Sequence, residues 1–377
     1  MRYPGRNGHV DFLRGVAILL VLLLHFSLAY GLGHFQPRAA APMNALHTLV
    51  YNGNFGVTLF FVVSGYLITS MSETRWGSVA NIHAKSFYIY RFARIVPSLG
   101  VVLAIIVALG LLGLPFFRNS ANEHPMPASY FVLAVLSVLT FWHNVLMQSR
   151  GWFNYCLNIY WSLSVEEVFY LALPLVCLIV RRKIWLAVVC VVLIVYGPIY
   201  RSHHVDNELY FECGYFACFD AIAIGCLTAL TARVWRLAGR PARMLRLTAT
   251  IAFVAVYSQG IGGHEAYGFL LIALCALLYL VASVNDPAPS MATGRATRPL
   301  RWLGRHSYEL YLFHIVILAM LRNILDREQL SAIAWVAWLT IFLGASALVA
   351  YLVARFISDP GNAALRRYFL PNIQEPA

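Results

Sequence analysis

The first apolar segment carries an arginine and a histidine whose spacing suits an elongated substrate. Arg14 and His25 are 11 residues apart, close to three helical turns, so both side chains face the same side, separated by a rise of about 16 Å. A guanidinium suits phosphate, and an imidazole suits proton transfer near neutral pH. The pair could therefore hold the two ends of one substrate. The alternative is that Arg14 is a boundary anchor and His25 a hydrogen-bonding group within the bundle.

Two further groups of ionisable residues occur next to other apolar segments. Arg91 and Arg94 are i, i+3 neighbours on one helical face, at the cytoplasmic end of a segment, where they could equally be positive-inside anchors. Glu166 and Glu167 stand at the outer end of another segment and point about 100° apart, which predicts that they cannot both face the same partner. We expect one carboxylate to face the bundle core, although a solvated helix start favoured by the helix dipole is the alternative.

A fourth polar group follows a helical period. Ser307, Tyr311 and His314 recur at i, i+4 and i+7 and therefore line one stripe. They either contact a substrate or link neighbouring helices. Asp220 is an additional acid within an apolar segment, where an ionisable group is costly and calls for a function or a partner. We expect no metal site in the chain, and no disulfide framework from its seven cysteines.

The composition decides the class of protein. Of the 377 residues, 60% are hydrophobic and 12% are charged, against roughly 25% charged in a soluble domain. This excludes a soluble enzyme, a disordered protein and a nucleic-acid-binding domain. The net charge of +12 fits a membrane protein that keeps its Arg and Lys in cytoplasmic loops, so nucleic acid is not an expected partner.

The apolar residues fall into helix-length runs without the alternation of an outer-membrane barrel. We therefore predict an all-α, polytopic transmembrane helical bundle, folded as a single domain over residues 1–377. The candidate runs lie near 12–32, 54–72, 95–116, 129–147, 160–180, 184–200, 214–232, 246–260, 265–284, 306–322 and 333–357.

The positions of the basic segments predict on which side of the membrane each run begins and ends. The clusters at 75–94, 181–183, 233–246 and 295–305, together with Arg2, Arg6, Arg366 and Arg367, should all be cytoplasmic. Three runs separate Arg94 from Arg181, and three crossings would place that second cluster outside. We therefore predict that 129–147, which carries His143 and Asn144, does not fully span. About ten spans remain, with both termini and a tail from about residue 358 in the cytoplasm, and with 148–160 at the outer face.

The first run also has features of a signal peptide. Arg2 and Arg6 precede it, and Ala39, Ala40 and Ala41 resemble a cleavage site. The alanines lie well past the apolar stretch, and the ten apolar runs that follow already predict a membrane protein. We therefore expect the first run to remain as a span.

Taken together and in this order, these motifs resemble the bacterial acyltransferase-3 family over residues 9–367. The chain departs from the family pattern at the end, where Gly361 and Asn362 follow Asp359-Pro360 in place of bulky basic residues. The resemblance rests on Arg14-x10-His25, Phe60-Phe61-Val-Val-Ser64-Gly65-Tyr66, the Arg91/Arg94/Pro97 element, Trp161-Ser162-Leu163-Ser164-Val165-Glu166 and Ser307-Tyr308-x-x-Tyr311-x-x-His314.

The resemblance implies an integral-membrane enzyme that O-acylates, most often O-acetylates, surface polysaccharides and related acceptors. Acyl-CoA would be the donor, with its phosphates on Arg14, Arg91 and Arg94 and its thioester near His25. His25 would be the general base or would itself accept the acyl group, and Glu166, entering from the outer side, would orient the acceptor or the imidazole. Candidate substrate-binding residues are Trp161, Ser164, Tyr311 and His314.

The same resemblance suggests partners and a location. The expected partners are a carbohydrate or glycolipid acceptor, membrane lipid and other envelope-biosynthesis proteins, and the expected location is the bacterial inner membrane. No extracellular hydrolase-like domain follows in this sequence, so we expect any additional acceptor-handling factor to be a separate protein or unnecessary. A rival hypothesis is a proton-coupled transporter or flippase of a sugar or lipid, with Arg14, His25, Glu166 and His314 as a proton relay. Transporters usually show paired halves, and no such internal symmetry is visible.

Overall fold

The computed structural model describes residues 7–31, 41–121, 124–232, 234–235, 237–286 and 290–370. Arg2, Arg6, Arg233, Arg236 and the cleavage-like Ala39 and Ala40 lie outside these ranges. The helices of the described residues are α1 (Gly8–Tyr30), α2 (Ala41–Tyr51), α3 (Phe55–Trp76), α4 (Ala84–Leu111), α5 (Tyr130–Leu139), α6 (His143–Arg150), α7 (Trp161–Val180), α8 (Lys183–Ser202), α9 (Glu208–Phe211), α10 (Tyr215–Ala232), α11 (Gly239–Gln259), α12 (Gly268–Val284), α13 (Arg298–Arg305), α14 (Ser307–Ile324), α15 (Ala332–Val353) and α16 (Asp359–Phe369). Two short strands, β1 (Ser120–Ala121) and β2 (His124–Pro125), pair antiparallel.

Local sequence signals explain where the first helices begin and end. The Asn7 side chain accepts a hydrogen bond from the His9 amide and caps the start of α1. Gly31 follows the end of α1 with φ +61°, and Gly77 follows α3 with φ +74°. Both torsions lie in the region that glycine adopts without a steric penalty, which lets the chain leave each helix sharply.

The helices confirm a polytopic membrane protein. Seven helical segments of the described residues are long and apolar enough to cross a bilayer. The remaining predicted runs, 246–260, 265–284 and 306–322, form α11, α12 and α14, which are more polar or shorter. The seven segments are Gly8–Tyr30, Phe55–Trp76, Ala84–Leu111, Asn158–Val180, Lys183–Ser202, Glu208–Ala232 and Ile333–Phe369.

The run 129–147, which the charge distribution predicts not to span fully, forms two short helices. Helix α5 has 10 residues and α6 has 8, or about 15 and 12 Å of rise, against a hydrocarbon core of about 30 Å. His143 begins α6 and lies buried, with its Nδ1 2.7 Å from Ser137 Oγ. Burial lowers the pKa of His143 to about 3, so this ring is neutral and holds the two short helices together.

Ion pairs gather the basic segments at one end of the bundle. Lys183, which begins α8, pairs with Glu73 near the end of α3. At the same end, Arg246 of α11 lies 2.8 Å from Asp286, just after α12. This is the arrangement expected if the segments at 75–94, 181–183 and 233–246 share one side of the membrane.

The chain after residue 358 is helical and packs against α4. A π-helical turn, Ala354–Ser358, joins α15 to α16 without interruption. Ser358 Oγ lies 2.5 Å from Ser98 Oγ, and Gly361 packs on Pro97. The residues from about 358, which the sequence indicated only as a tail, therefore form part of the helical body as far as Phe369.

Two close helix crossings depend on paired glycines. Where α1 crosses α13, a Cβ on Gly15 would lie 1.9 Å from the Leu300 carbonyl oxygen, and a Cβ on Gly304 would lie 1.8 Å from that of Asp11. Where α3 crosses α10, a Cβ on Gly65 would lie 2.0 Å from the Ile222 carbonyl oxygen. Only glycine lets these backbones approach so closely. Each crossing adjoins a polar residue of the cavity described below, Arg14 in the first case and Ser64 in the second.

The buried acid Asp220 is explained by a partner on α8. Arg201 Nη2 lies 2.6 Å from Asp220 Oδ2, and both side chains are fully buried. The same guanidinium donates from Nε to the Ala266 carbonyl oxygen at 3.0 Å. Asp220 therefore belongs to an ion pair that ties α8 to α10 and to the loop before α12.

Candidate active site

A cavity of about 590 Å³ lies among α1, α3, α4, α7, α14 and α16. Its wall is strongly charged, and arginines outnumber acids among the described residues that line it. The arginines are Arg14, Arg75, Arg91, Arg94, Arg305 and Arg366, and the acids are Glu166, Glu167, Glu309 and Asp359. This surplus of positive charge favours an anionic ligand.

Arg14 is held by the start of α14. Its Nε donates to Ser307 Oγ at 3.1 Å, which the adjacent Gly15–Gly304 crossing makes possible. The guanidinium of Arg94 lies 5.2 Å from the centre of the Tyr308 ring. Tyr308 in turn donates to the Ile95 carbonyl oxygen at 2.9 Å. Arg14 and Arg94 thus reach the same part of the cavity from α1 and α4.

Two further guanidiniums contact the ring of a tyrosine at the mouth of the cavity. Arg75 of α3 lies 3.7 Å from the centre of the Tyr90 ring, and Arg366 of α16 lies 4.5 Å from it. Cation–π contacts of this kind position Arg side chains without neutralising them. The sequence indicated Arg75 and Arg366 only as cytoplasmic charges and not as site residues, because Arg366 follows Tyr90 by more than 270 positions in the chain.

The two adjacent glutamates converge on Arg91. Its Nη2 lies 2.5 Å from Glu167 Oε1 and 3.6 Å from Glu166 Oε1. The prediction that Glu166 and Glu167 cannot face the same partner is therefore wrong. The 100° between successive Cα–Cβ directions leaves both flexible side chains able to bend toward one guanidinium.

Glu166 also meets residues that the sequence indicated only as packing or did not consider. Glu166 Oε1 accepts hydrogen bonds from Ser64 Oγ and from Tyr170 Oη, the latter at 2.7 Å. Arg91 lies 3.8 Å from the centre of the Tyr170 ring. The neighbouring residues Ser64 and Gly65 explain this contact, because Gly65 packs on α10 while Ser64 faces the cavity. Glu166 therefore shares one cavity with Arg14 and the other arginines, rather than a separate outer entrance.

Tyr311 lines the far end of the cavity, on the side of His314. Tyr311 Oη donates to the Ile159 carbonyl oxygen and lies 2.7 Å from Ser162 Oγ. Trp161 does not line this cavity and packs against Phe61 instead. Ser164 is fully buried, and its Oγ accepts a hydrogen bond from the His143 amide at 3.2 Å. Of these candidates, only Tyr311 faces the cavity.

A histidine pair lies just beyond Tyr311. The His314 ring centre is 5.8 Å from that of Tyr311 and 5.0 Å from that of His25. His314 Nε2 lies 3.4 Å from His25 Nδ1. Arg14 and His25 therefore both contact α14, as their spacing predicted, although neither histidine lines the cavity wall.

The site combines positive charge with nearby imidazoles. Arginines line the cavity, and the partly exposed His25 ring lies beyond Tyr311 and His314. Among the described residues, no three His, Cys, Asp or Glu side chains cluster as metal ligands would. All seven cysteines are buried and free.

Comparison with known proteins identifies the family. The model of the acyltransferase-3 family, described as an acyltransferase domain, matches residues 7–355. The chain belongs to this family. No solved structure matches it.

Relatives with curated names are similar over almost the whole chain. It is 26% identical to the peptidoglycan O-acetyltransferase OatA of Listeria monocytogenes over 369 residues, covering 93% of this chain and 55% of that protein. It is 23% identical to the O-acetyltransferase OatA of Staphylococcus aureus over 379 residues, covering 95% of this chain and 57% of that protein. The chain therefore spans little more than half the length of these relatives.

Proposed function

We propose that this protein is a membrane O-acetyltransferase that moves an acetyl group from cytosolic acetyl-CoA to a hydroxyl group of a carbohydrate. The observation that carries this proposal is the cavity with arginines at its mouth and the His25–His314 pair just beyond its far end. Family membership and the O-acetyltransferase names of the relatives support the reaction type.

The mouth of the cavity suits the nucleotide end of the donor. CoA carries a pyrophosphate and a ribose phosphate, and guanidiniums bind phosphate through paired, charge-assisted hydrogen bonds. Arg14 and Arg94 contact adjacent residues of α14, Ser307 and Tyr308, and Arg94 has no ion pair among the described residues. Arg91 differs, because Glu167 and Glu166 already balance its charge. We therefore assign phosphate binding chiefly to Arg14 and Arg94, and a positioning role to Arg91.

The far end suits the thioester. An extended arm that starts at Arg14 and runs along α1 for about 16 Å reaches the level of His25. In the proposed reaction, His25 removes the proton from the acceptor hydroxyl as its oxygen attacks the thioester carbonyl carbon. The carbon–sulfur bond then breaks, and the thiolate takes the proton from the imidazolium, which yields the acetyl ester and free CoA.

The name of the Listeria relative supports a class of acceptor, and the basic segments support a topology. The peptidoglycan named for the Listeria relative favours a carbohydrate hydroxyl, either outside the cytoplasm or on a lipid-linked precursor. The basic segments gathered at the mouth favour a cytoplasmic donor entrance in a bacterial inner membrane, with both termini on that side. Tyr311 and Ser162 line the cavity next to each other, and Tyr311 adjoins His314, so these two residues would contact the acetyl group or the acceptor.

Release of free thiol from acetyl-CoA in washed native membranes, which retain the natural acceptor, tests the proposal. His25→Ala should abolish release at unchanged protein abundance, and Arg14→Ala should mainly raise the KM for acetyl-CoA. Full activity of His25→Ala would refute the catalytic role. A transporter or flippase would move its substrate without any acetyl-CoA-dependent thiol, so absence of release from the wild-type membranes would favour that alternative.

A further inference from the structure

The contacts of His314 show which of its two ring nitrogens carries the proton. His314 is fully buried, and its Nδ1 lies 2.8 Å from the Tyr311 carbonyl oxygen and 3.0 Å from that of Leu310. Carbonyl oxygens only accept hydrogen bonds, so this nitrogen carries the proton. The neutral His314 ring therefore presents a lone pair at Nε2.

The second ring is constrained in the same way. His25 Nδ1 lies 2.9 Å from the Val21 carbonyl oxygen, which again can only accept. Its proton therefore sits on Nδ1, and this nitrogen also lies 3.4 Å from His314 Nε2. A proton on His314 Nε2 would face the proton on His25 Nδ1, so this assignment is the one that satisfies every contact. The lone pair of His25 is left on Nε2.

We propose that His314 is a positioning residue that fixes the tautomer and orientation of His25. The inference rests on the proposed function, in which His25 is the general base. His25 Nε2 would take the acceptor proton, and the resulting imidazolium would keep its Nδ1–H directed at His314 Nε2 and the Val21 carbonyl. His314 thus does with a neutral acceptor what a carboxylate does in a Ser-His-Asp triad. His314 is fully buried whereas His25 is partly exposed, which favours this role for His314 over direct substrate binding.

Two substitutions separate orientation from packing. His314→Leu keeps the bulk but removes the acceptor, and we expect turnover to fall about 10- to 100-fold with an unchanged KM for acetyl-CoA. That loss is smaller than the roughly 10⁴-fold loss seen when a triad carboxylate is replaced and the wrong tautomer results, because the Val21 carbonyl still favours the same tautomer. His314→Gln places an amide oxygen near the position of Nε2 and should restore turnover to within about fivefold of wild type, since that oxygen can accept the same proton.

A matched control tests whether loss of any such histidine has this effect. His204 makes a similar contact, from its Nδ1 to the Tyr200 carbonyl oxygen at 2.7 Å, but lies in the loop after α8, away from the cavity. His204→Leu should leave turnover unchanged. As an independent readout, ¹⁵N magnetic resonance of ring-labelled histidine, assigned by comparison with His25→Ala, should show His25 protonated at Nδ1 in the wild type. In His314→Leu the signal should become a mixture of both tautomers.

The outcomes distinguish the two proposals. If His25→Ala is inactive while His314→Leu turns over like the wild type, the positioning role is wrong and the proposed function stands. If His314→Leu changes only the KM for acetyl-CoA, or if Gln rescues no better than Leu at equal abundance, the positioning role is also refuted. If His25→Ala is fully active, the proposed catalytic role of His25 fails first.

Discussion

Replacing Gly304 by alanine should weaken donor binding although residue 304 does not touch the cavity. The added Cβ would lie 1.8 Å from the Asp11 carbonyl oxygen and 2.9 Å from the Gly15 amide nitrogen. Both are backbone atoms of α1, so no side-chain rotation can relieve the clash. The two helices must separate, and the separation occurs next to Arg14 and three residues before Ser307.

The size of the effect follows from these distances. Reaching an ordinary contact distance of about 3.4 Å requires a shift of about 1.6 Å at the crossing. The hydrogen bond from Arg14 Nε to Ser307 Oγ is 3.1 Å long and is lost beyond about 3.5 Å. Loss of a hydrogen bond to a charged group costs about 1.5–3 kcal/mol. If Arg14 no longer points at the phosphates, the KM for acetyl-CoA should rise about 10- to 100-fold at 1.4 kcal/mol per decade.

Thiol release in washed membranes over a range of acetyl-CoA concentrations measures this change. Gly344→Ala in α15 and Gly100→Ala in α4 are matched controls, because a Cβ at either position would meet no atom within 4 Å. Each control should keep the wild-type KM and gain helix stability of about 0.5–1 kcal/mol. Gly15→Ala, the reciprocal substitution, should reproduce the defect. A wild-type KM in Gly304→Ala at normal abundance would show that the crossing does not position Arg14, and the reasoning would have to be abandoned.

Three other expectations concern charge. Asp220→Leu should lower the free energy of unfolding by about 3–5 kcal/mol, because it leaves Arg201 buried without its partner; the double change with Arg201→Leu should recover much of this in thermal denaturation in detergent. Glu167→Gln should lower the KM for acetyl-CoA, since it frees positive charge on Arg91 for the anionic donor, and an increased KM would contradict that account. Raising ionic strength from about 0.05 to 0.5 M should raise the KM for acetyl-CoA in the wild type, because salt screens charges at the open mouth of the cavity; a flat KM would argue against phosphate binding there.

The sequence predicted the features that depend on local periodicity. The apolar runs match the observed helices to within a few residues at most ends, because burying 20 or so apolar residues in lipid demands a helix. The largest discrepancy at a start is α4, which begins at Ala84 rather than near residue 95. The orientation of Arg14 and His25 toward the same side of α1 was likewise predictable, because 11 residues are close to three helical turns. Counting crossings between basic clusters predicted that 129–147 does not fully span, but it gave no indication that the run would break into two helices.

The remaining part of the site depends on contacts between distant segments. Ser64 was indicated only as packing, because a small residue beside Gly65 fits a helix crossing equally well, and its hydrogen bond to Glu166 depends on where α7 lies. Tyr90 and Arg366 meet only because the chain continues as a helix after the π-helical turn at residues 354–358. The convergence of Glu166 and Glu167 on Arg91 was missed because backbone directions were compared without side-chain reach.

The position of Arg366 has a consequence for the order in which the protein is made. His25 and His314 have both been synthesised once α14 is complete, but α16, which adds Arg366 to the cavity wall, comes later in the chain. A chain that ended between these points would contain both imidazoles but would lack Arg366, Asp359 and Asn362 of the cavity wall. The wall is therefore complete only when almost the whole described chain has been made.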